Sequence, residues 1–237
     1  MATVVLVRHA RSTANASGVL TGRLKGVHLD ETGRSQAERA AARLGSVPLA
    51  ALVSSPLERC RETSRALLAT QDGSLRLTTD RGLVECDYGD WQGRPLKELA
   101  REKLWKTVQR HPSSVTFPEG ESMAAMSARA VDAVRRHDAL VEATHGPHAV
   151  WAAVTHGDLV KAILADALGL HLDQFQRIHV DPASMSLVRY TGEAAYVLQS
   201  NSHEGDLGWL APRKGRRRSA PATGVVGGGS GPAGEGH

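Results

Sequence analysis

Apolar residues follow two alternating rhythms along the chain. Thr3 to Val7, Ala51 to Val53 and Ala149 to Val154 are short β-branched and aliphatic runs, the length of buried strands. Between them the spacing changes to threes and fours. Ala37, Ala40, Ala41 and Leu44 share one face of a helix predicted from Arg34 to Leu44. Ser55, Pro56 and Glu58 read as N-cap, first position and N3 of a second helix, whose Leu57, Cys60, Leu67 and Leu68 face the core. Ser122 caps a long third helix with Met123, Met126, Ala130, Val134 and Val141 on its buried side. Asp158 is placed to cap a fourth, from Leu159 to Leu168, with Gly169 at its C-terminal end. Met185 to Tyr190 and Ala195 to Leu198 read as two late strands, a hairpin around Gly192.

Strands alternating with helices predict an α/β fold: one domain of three layers, α/β/α, around a mostly parallel, mixed sheet. In such sheets ligands bind beyond the carboxyl ends of the strands, so the residues that follow each strand carry the functional question.

Composition changes this picture little. The chain has 237 residues, 41% of them hydrophobic, enough for one sizeable core. No apolar run approaches the ~20 residues of a membrane span, and no signal peptide is read at the N-terminus. Cys60 and Cys86 are too few for a disulfide framework and match no zinc spacing; reduced thiols in a soluble cytoplasmic protein are expected. The net charge is +4, which could suggest a nucleic-acid partner. Arg213, Lys214, Arg216, Arg217 and Arg218, against Glu235 alone, account for all of it. Residues 1–210 are therefore a neutral domain, and residues 211–237 a basic, Gly- and Pro-rich tail expected to be disordered. That placement argues against nucleic acid as the partner of the folded body and leaves the tail as a remote binding module. The oligomeric state is left open.

The strand ends carry chemistry. The first runs into Arg8 and His9, the second into Ser54-Ser55-Pro56 with Arg59 just beyond, and a later one into Thr155-His156-Gly157. Two arginines and two histidines from separate segments should meet in one crevice. A guanidinium matches phosphate oxygens with a planar fork, and N–H groups at a helix start favour an anion. A neutral imidazole is a competent nucleophile near neutral pH, and a carboxylic acid is then needed to protonate the leaving oxygen. No metal-binding pattern is present, and no cofactor is expected.

Five ordered blocks make the reading specific: Leu6-Val7-Arg8-His9-Ala10-Arg11-Ser12-Thr13-Ala14-Asn15, Leu29-Asp30-Glu31-Thr32-Gly33-Arg34, Ser54 to Thr63, Leu83 to Gly93, and Val154-Thr155-His156-Gly157. Together they resemble the histidine phosphatase superfamily, in the branch similar to phosphoglycerate mutase that includes broad-specificity phosphatases and phosphomutases. Pro118-Glu119-Gly120-Glu121-Ser122 fits a lesser family pattern. The resemblance implies that His9 forms a phosphohistidine and that Glu85 is the proton donor. It implies that Arg8, Arg59 and His156 surround the phosphoryl group. Asn15, Ser12 and the backbone at Gly157 are then phosphate ligands, and Thr21 and Gly22 lie near substrate. Ala10 departs from the family's usual glycine, a change the turn tolerates if its φ is negative.

The expected activity is a metal-independent phosphatase on a small phosphomonoester, with a mildly acidic to neutral optimum. The alternative is a phosphomutase. The family's mutases resemble one another in a long insertion after the acid with an adjacent arginine pair, and the segment from Glu85 to Pro118 here is short and lacks one. A phosphate sensor without catalysis is the remote third reading. Arg11 and Arg61 are expected to be solvated or structural, His28 to be a loop residue rather than a substrate contact, and Trp91, Trp105, Cys60 and Cys86 to pack.

Overall fold

In the computed structural model, which describes residues 2–203 and Gly227, strand β1 (Thr3–Arg8) is buried at every position. Its alternate side chains enter two different cores. Val4 and Leu6 join one apolar cluster, Val5 and Val7 another. A strand covered on both faces reads as a continuous apolar run, which is how it stands in the sequence.

The other elements follow in chain order: helix α1 (Thr13–Ser17), strand β2 (Val19–Leu20), α2 (Glu31–Leu44), β3 (Ala51–Ser54), α3 (Glu58–Leu68), β4 (Leu77–Thr79), β5 (Arg94–Pro95), α4 (Leu96–Leu99), α5 (Lys103–Arg110), α6 (Met123–His145), β6 (Val150–Thr155), α7 (Gly157–Ala167), β7 (Met185–Tyr190) and β8 (Ala195–Ser202). Six strands form one sheet in the order β4-β3-β6-β1-β7-β8, and β2 pairs with β5 apart from it. The pairs β4/β3, β3/β6 and β6/β1 are parallel; β1/β7 and β7/β8 are antiparallel. Helices α6 and α7 cover the first core, α2 and α3 the second. The result is the mixed, mostly parallel three-layer architecture expected from the alternation of elements.

Register positions the site. Arg8 pairs with Thr155 and Ser54 with Val154, so β1, β3 and β6 end at one level, each releasing its chain on the same edge. The five spacing-predicted residues of α6, from Met123 to Val141, are all buried, and each large one contributes about 1.5–3 kcal/mol. Ser122 does cap that helix, accepting from the Ala125 amide at 3.1 Å. Gly169, at φ 66°, closes α7: its N–H donates to Asp166 and that of Leu170 to Ala165, a Schellman motif.

Two expected caps are corrected. Helix α3 opens at Glu58, not Pro56; the Ser55 hydroxyl accepts from the Leu57 amide at 3.4 Å and also bonds His156 at 2.8 Å. Helix α7 opens at Gly157, with His156 as its flanking residue; Asp158 lies buried in the first turn, hydrogen-bonded by Tyr88. Helix α2 begins three residues earlier than predicted, at Glu31, where Asp30 caps the Gly33 amide. The tail lies outside the described residues apart from Gly227.

Gly33 sits inside α2, where glycine ordinarily costs about 1 kcal/mol relative to alanine. A Cβ there would stand 1.9 Å from the Arg11 carbonyl oxygen, on the loop that leaves β1. Gly33→Ala is therefore expected to destabilise the fold by about 1–3 kcal/mol. Chemical denaturation checks this; an unchanged or raised midpoint would show that the loop yields to the helix.

Candidate active site

His9 and His156 are the first residues beyond the aligned ends of β1 and β6, and both are buried. Their rings meet edge to face with centroids 5.2 Å apart. The His9 amide donates to the Thr155 carbonyl at 2.8 Å, extending the β1/β6 ladder by one rung. Ala10 has no positive φ, and its amide donates to the Thr63 hydroxyl at 3.1 Å, so alanine is accommodated at that turn.

The tautomer of His9 is set by its own backbone. Nδ1 lies 2.8 Å from the Ala10 carbonyl, which can only accept, so Nδ1 carries the proton and Nε2 keeps its lone pair. Burial first, and then the Arg59 and Arg8 guanidiniums, hold the imidazolium form well below its usual range. The result is a neutral imidazole whose Nε2 is unprotonated and can only accept.

Arg59 comes from the second residue of α3 and is almost wholly enclosed. Its Nε donates to His9 Nε2 at 3.3 Å. Its Nη2 donates to the Gly22 carbonyl at 2.8 Å and to His156 Nδ1 at 3.1 Å. Nη1 is buried with no acceptor among the described residues, an arrangement that suits an arriving anion. Arg8 is equally buried, and its Nη1 donates to the Val180 carbonyl at 2.8 Å. Burial lowers its pKa to about 10, which leaves it cationic at neutral pH.

His156 accepts from Arg59 on Nδ1, so Nε2 donates to the Ser55 hydroxyl at 2.8 Å. Glu85 Oε2 lies 3.8 Å from His156 Nδ1, and its Oε1 accepts from the Cys86 amide at 2.9 Å. Burial, and next the Asp158 carboxylate, push the Glu85 pKa up to about 7; Arg59 acts against them. A carboxyl held protonated to near neutrality beside a neutral imidazole and two guanidiniums has the pieces of an acid–nucleophile pair.

The other sequence-predicted residues divide. Gly22 adopts φ 51°, and a Cβ there would stand 2.4 Å from Gln92 Oε1, so glycine lets its carbonyl reach Arg59. Thr21 precedes it on the same loop. Gly157 gives the first turn of α7, next to His156. Ser12 and Asn15 form a reciprocal capping box on α1: the Asn15 side-chain carbonyl accepts from Ser12, leaving its amide NH2 for any anion. Arg11 is ion-paired with Asp30 at 2.7 Å, His28 pairs with Glu62 at the surface, and Arg61 is exposed. Trp91 and Trp105 stack on each other, and the two cysteines are buried and free.

Sequence reasoning missed several neighbours. Asp158 accepts from Tyr88 at 2.7 Å and from the Gly227 amide at 2.9 Å, and lies 3.5 Å from the Lys161 ammonium. Its place two residues after His156 was the available signal. Arg23, Glu121 and Arg129 gather around Glu85 from three separate segments, with only the Pro118–Ser122 pattern to point at one of them. No helix among the described residues is long and apolar enough to cross a membrane.

Comparison with known proteins finds relatives both by sequence and by fold. Phosphoserine phosphatase 1 of Hydrogenobacter thermophilus is 30% identical over 85% of this chain and 92% of its own. Phosphoglycerate mutase-like protein 4 of Arabidopsis thaliana is 32% identical over 68% of this chain and 69% of its own. Among solved structures, a mycobacterial glucosyl-3-phosphoglycerate phosphatase bound to VO3 superposes with a TM-score of 0.75 at 26% identity, covering 84% of this chain and 99% of its own. The family model described as the histidine phosphatase superfamily, branch 1, matches residues 4–203, and the chain belongs to that family.

Proposed function

We propose that the protein is a phosphatase acting on a small phosphomonoester through a phosphohistidine on His9. The observation that carries this reading is the enclosed cluster in which Arg59 touches both histidines and keeps Nη1 without an acceptor among the described residues, with protonated Glu85 alongside. His9 Nε2 attacks phosphorus while the Glu85 proton passes to the leaving oxygen. Arg8, Arg59 and His156, with the Gly157 amide and the Asn15 and Ser12 side chains, stabilise the equatorial oxygens as charge develops. Thr21 and Gly22 border the leaving group. Water then gives its proton to the Glu85 carboxylate and attacks the phosphohistidine, which releases phosphate and restores both groups. The reaction so written calls on no metal and no cofactor.

Similarity to a phosphoserine phosphatase and a glucosyl-3-phosphoglycerate phosphatase supports a small phosphorylated metabolite as substrate. Residues 1–210 are the catalytic domain in this reading, and 211–237 a separate basic tail. Two buried, unpaired thiols suit a cytoplasmic location.

Phosphomutase is the second reading, favoured by the mutase-like relative. The segment that would hold a phosphoglycerate carboxylate is short, formed by α4 and α5, and Arg94 within it is already paired with Glu102 at 2.6 Å. Phosphate release from an aryl phosphate is expected to proceed undiminished in EDTA. Isomerisation of phosphoglycerate faster than phosphate release would replace phosphatase with mutase, and inhibition by EDTA would remove the metal-independent mechanism.

A further inference from the structure

Residues 85 to 88 belong to no helix or strand. The acid proposed above therefore stands on a segment whose main-chain groups need partners from elsewhere. For the Glu85 carbonyl, two guanidiniums supply them. Arg129, on α6, donates to the carbonyls of Gly82 at 2.9 Å, Val84 at 2.6 Å and Glu85 at 3.0 Å. Arg23, on the loop after Gly22, donates to the same Glu85 carbonyl at 2.9 Å.

Two cations on one carbonyl oxygen repel each other; Glu121 bridges the two, and Asp87 pairs with Arg23 alone at 3.4 Å. Glu121 Oε1 accepts from Arg23 at 2.9 Å, from Arg129 at 2.6 Å and from the Asp87 amide at 2.9 Å, while Oε2 accepts from Arg129 Nε at 3.1 Å. Burial works against its charge, but the hydrogen bonds from Arg129 hold its pKa below the usual range, so it is an anion where the enzyme works. Arg23 also follows directly on Gly22, whose carbonyl holds Arg59. The bracket thus spans the acid segment and the loop that steadies the phosphate-side guanidinium.

We propose that Glu121 is a positioning residue for the general acid: through Arg23 and Arg129 it fixes the main chain of Glu85, and so the carboxyl, at the distance from which it protonates the leaving group. The inference rests on the phosphatase reading. It assigns Glu121 no contact with substrate, so its effect must pass through Glu85.

The test compares kcat/KM for phenyl phosphate, a poor leaving group that needs the acid, with that for 2,4-dinitrophenyl phosphate, a good one that does not. General acid catalysis supplies roughly 10²–10⁴-fold, and a displaced acid forfeits part of it. Glu121→Ala is expected to lower kcat/KM for phenyl phosphate about 10–100-fold and for the dinitrophenyl ester less than about threefold. In a Glu85→Gln background the same substitution should cost less than about threefold on either ester, since residues acting as one unit are not additive. Should the alanine variant not fold, Glu121→Gln, which keeps the volume and an acceptor oxygen, gives the same ratio. Equal losses on both esters, or an undiminished loss in the Glu85→Gln background, would overturn the proposal and leave Glu121 a structural residue. A wild type inactive toward both esters would instead remove the phosphatase reading, and this inference with it.

Discussion

His9→Ala is expected to lower turnover by about 10⁴-fold or more, the scale seen when a covalent nucleophile is removed and only binding remains. The main-chain anchors of this turn do not involve the side chain. Its amide pairs with Thr155 whatever the residue, and Ala10 is anchored separately through Thr63. What the substitution removes is the Nε2 lone pair, kept unprotonated because Nδ1 donates to the Ala10 carbonyl. Arg8 and Arg59 stay in place, so inorganic phosphate should still protect the variant against thermal unfolding, in proportion to its concentration. The decisive readout is covalent. Wild type quenched in alkali during turnover of a labelled phosphomonoester should carry label as a phosphoramidate, and the variant none. Label of equal yield in the variant would place the phosphoryl group on another residue, with His156 the first to examine.

The architecture could be read from the chain because it depends on periodicity. Strand β1 and helix α6 announce themselves by runs and spacings that survive without knowledge of neighbours. Strand ends then located the crevice where His9, Arg59 and His156 meet, while Glu85, 3.8 Å from His156, was indicated only by the family resemblance. Misreadings cluster beside them. Ser55 and Asp158 have the residue types of N-caps and stand where caps belong, yet one hydrogen-bonds His156 and the other takes the Tyr88 hydroxyl. Local rules fail where a site draws on the same side chains, which is where such failures are expected. The Arg23–Glu121 contact was invisible for another reason. It joins residues 98 positions apart, and no periodicity carries a pair at that range.

Glu85→Gln should have opposite effects on activity and on stability. The amide keeps the volume and an oxygen for the Cys86 N–H but has no proton to give. Phosphoryl transfer from a poor leaving group is expected to fall about 10²–10⁴-fold. Wild-type kcat/KM should decline as pH rises through about 7, where Glu85 loses its proton. On the acid side it should hold until His9 protonates, well below the ordinary histidine range. In the variant that alkaline limb should vanish along with most of the rate. Stability moves the other way. The unfolded chain releases the Glu85 proton near the ordinary value of 4.5, whereas the folded protein keeps it to about 7. Between those values the native state binds more protons than the unfolded one, so this group's contribution falls as pH rises and is at its most unfavourable above 7. Removing the ionisable carboxyl should therefore raise the stability at pH 8 by something on the order of 1–3 kcal/mol, with the advantage over wild type fading toward pH 4. Thermal melts of both proteins across that range test the sign. A variant that melts lower than wild type at pH 8 would mean that Glu85 is ionised and paired in the native state, which would disqualify it as the proton donor.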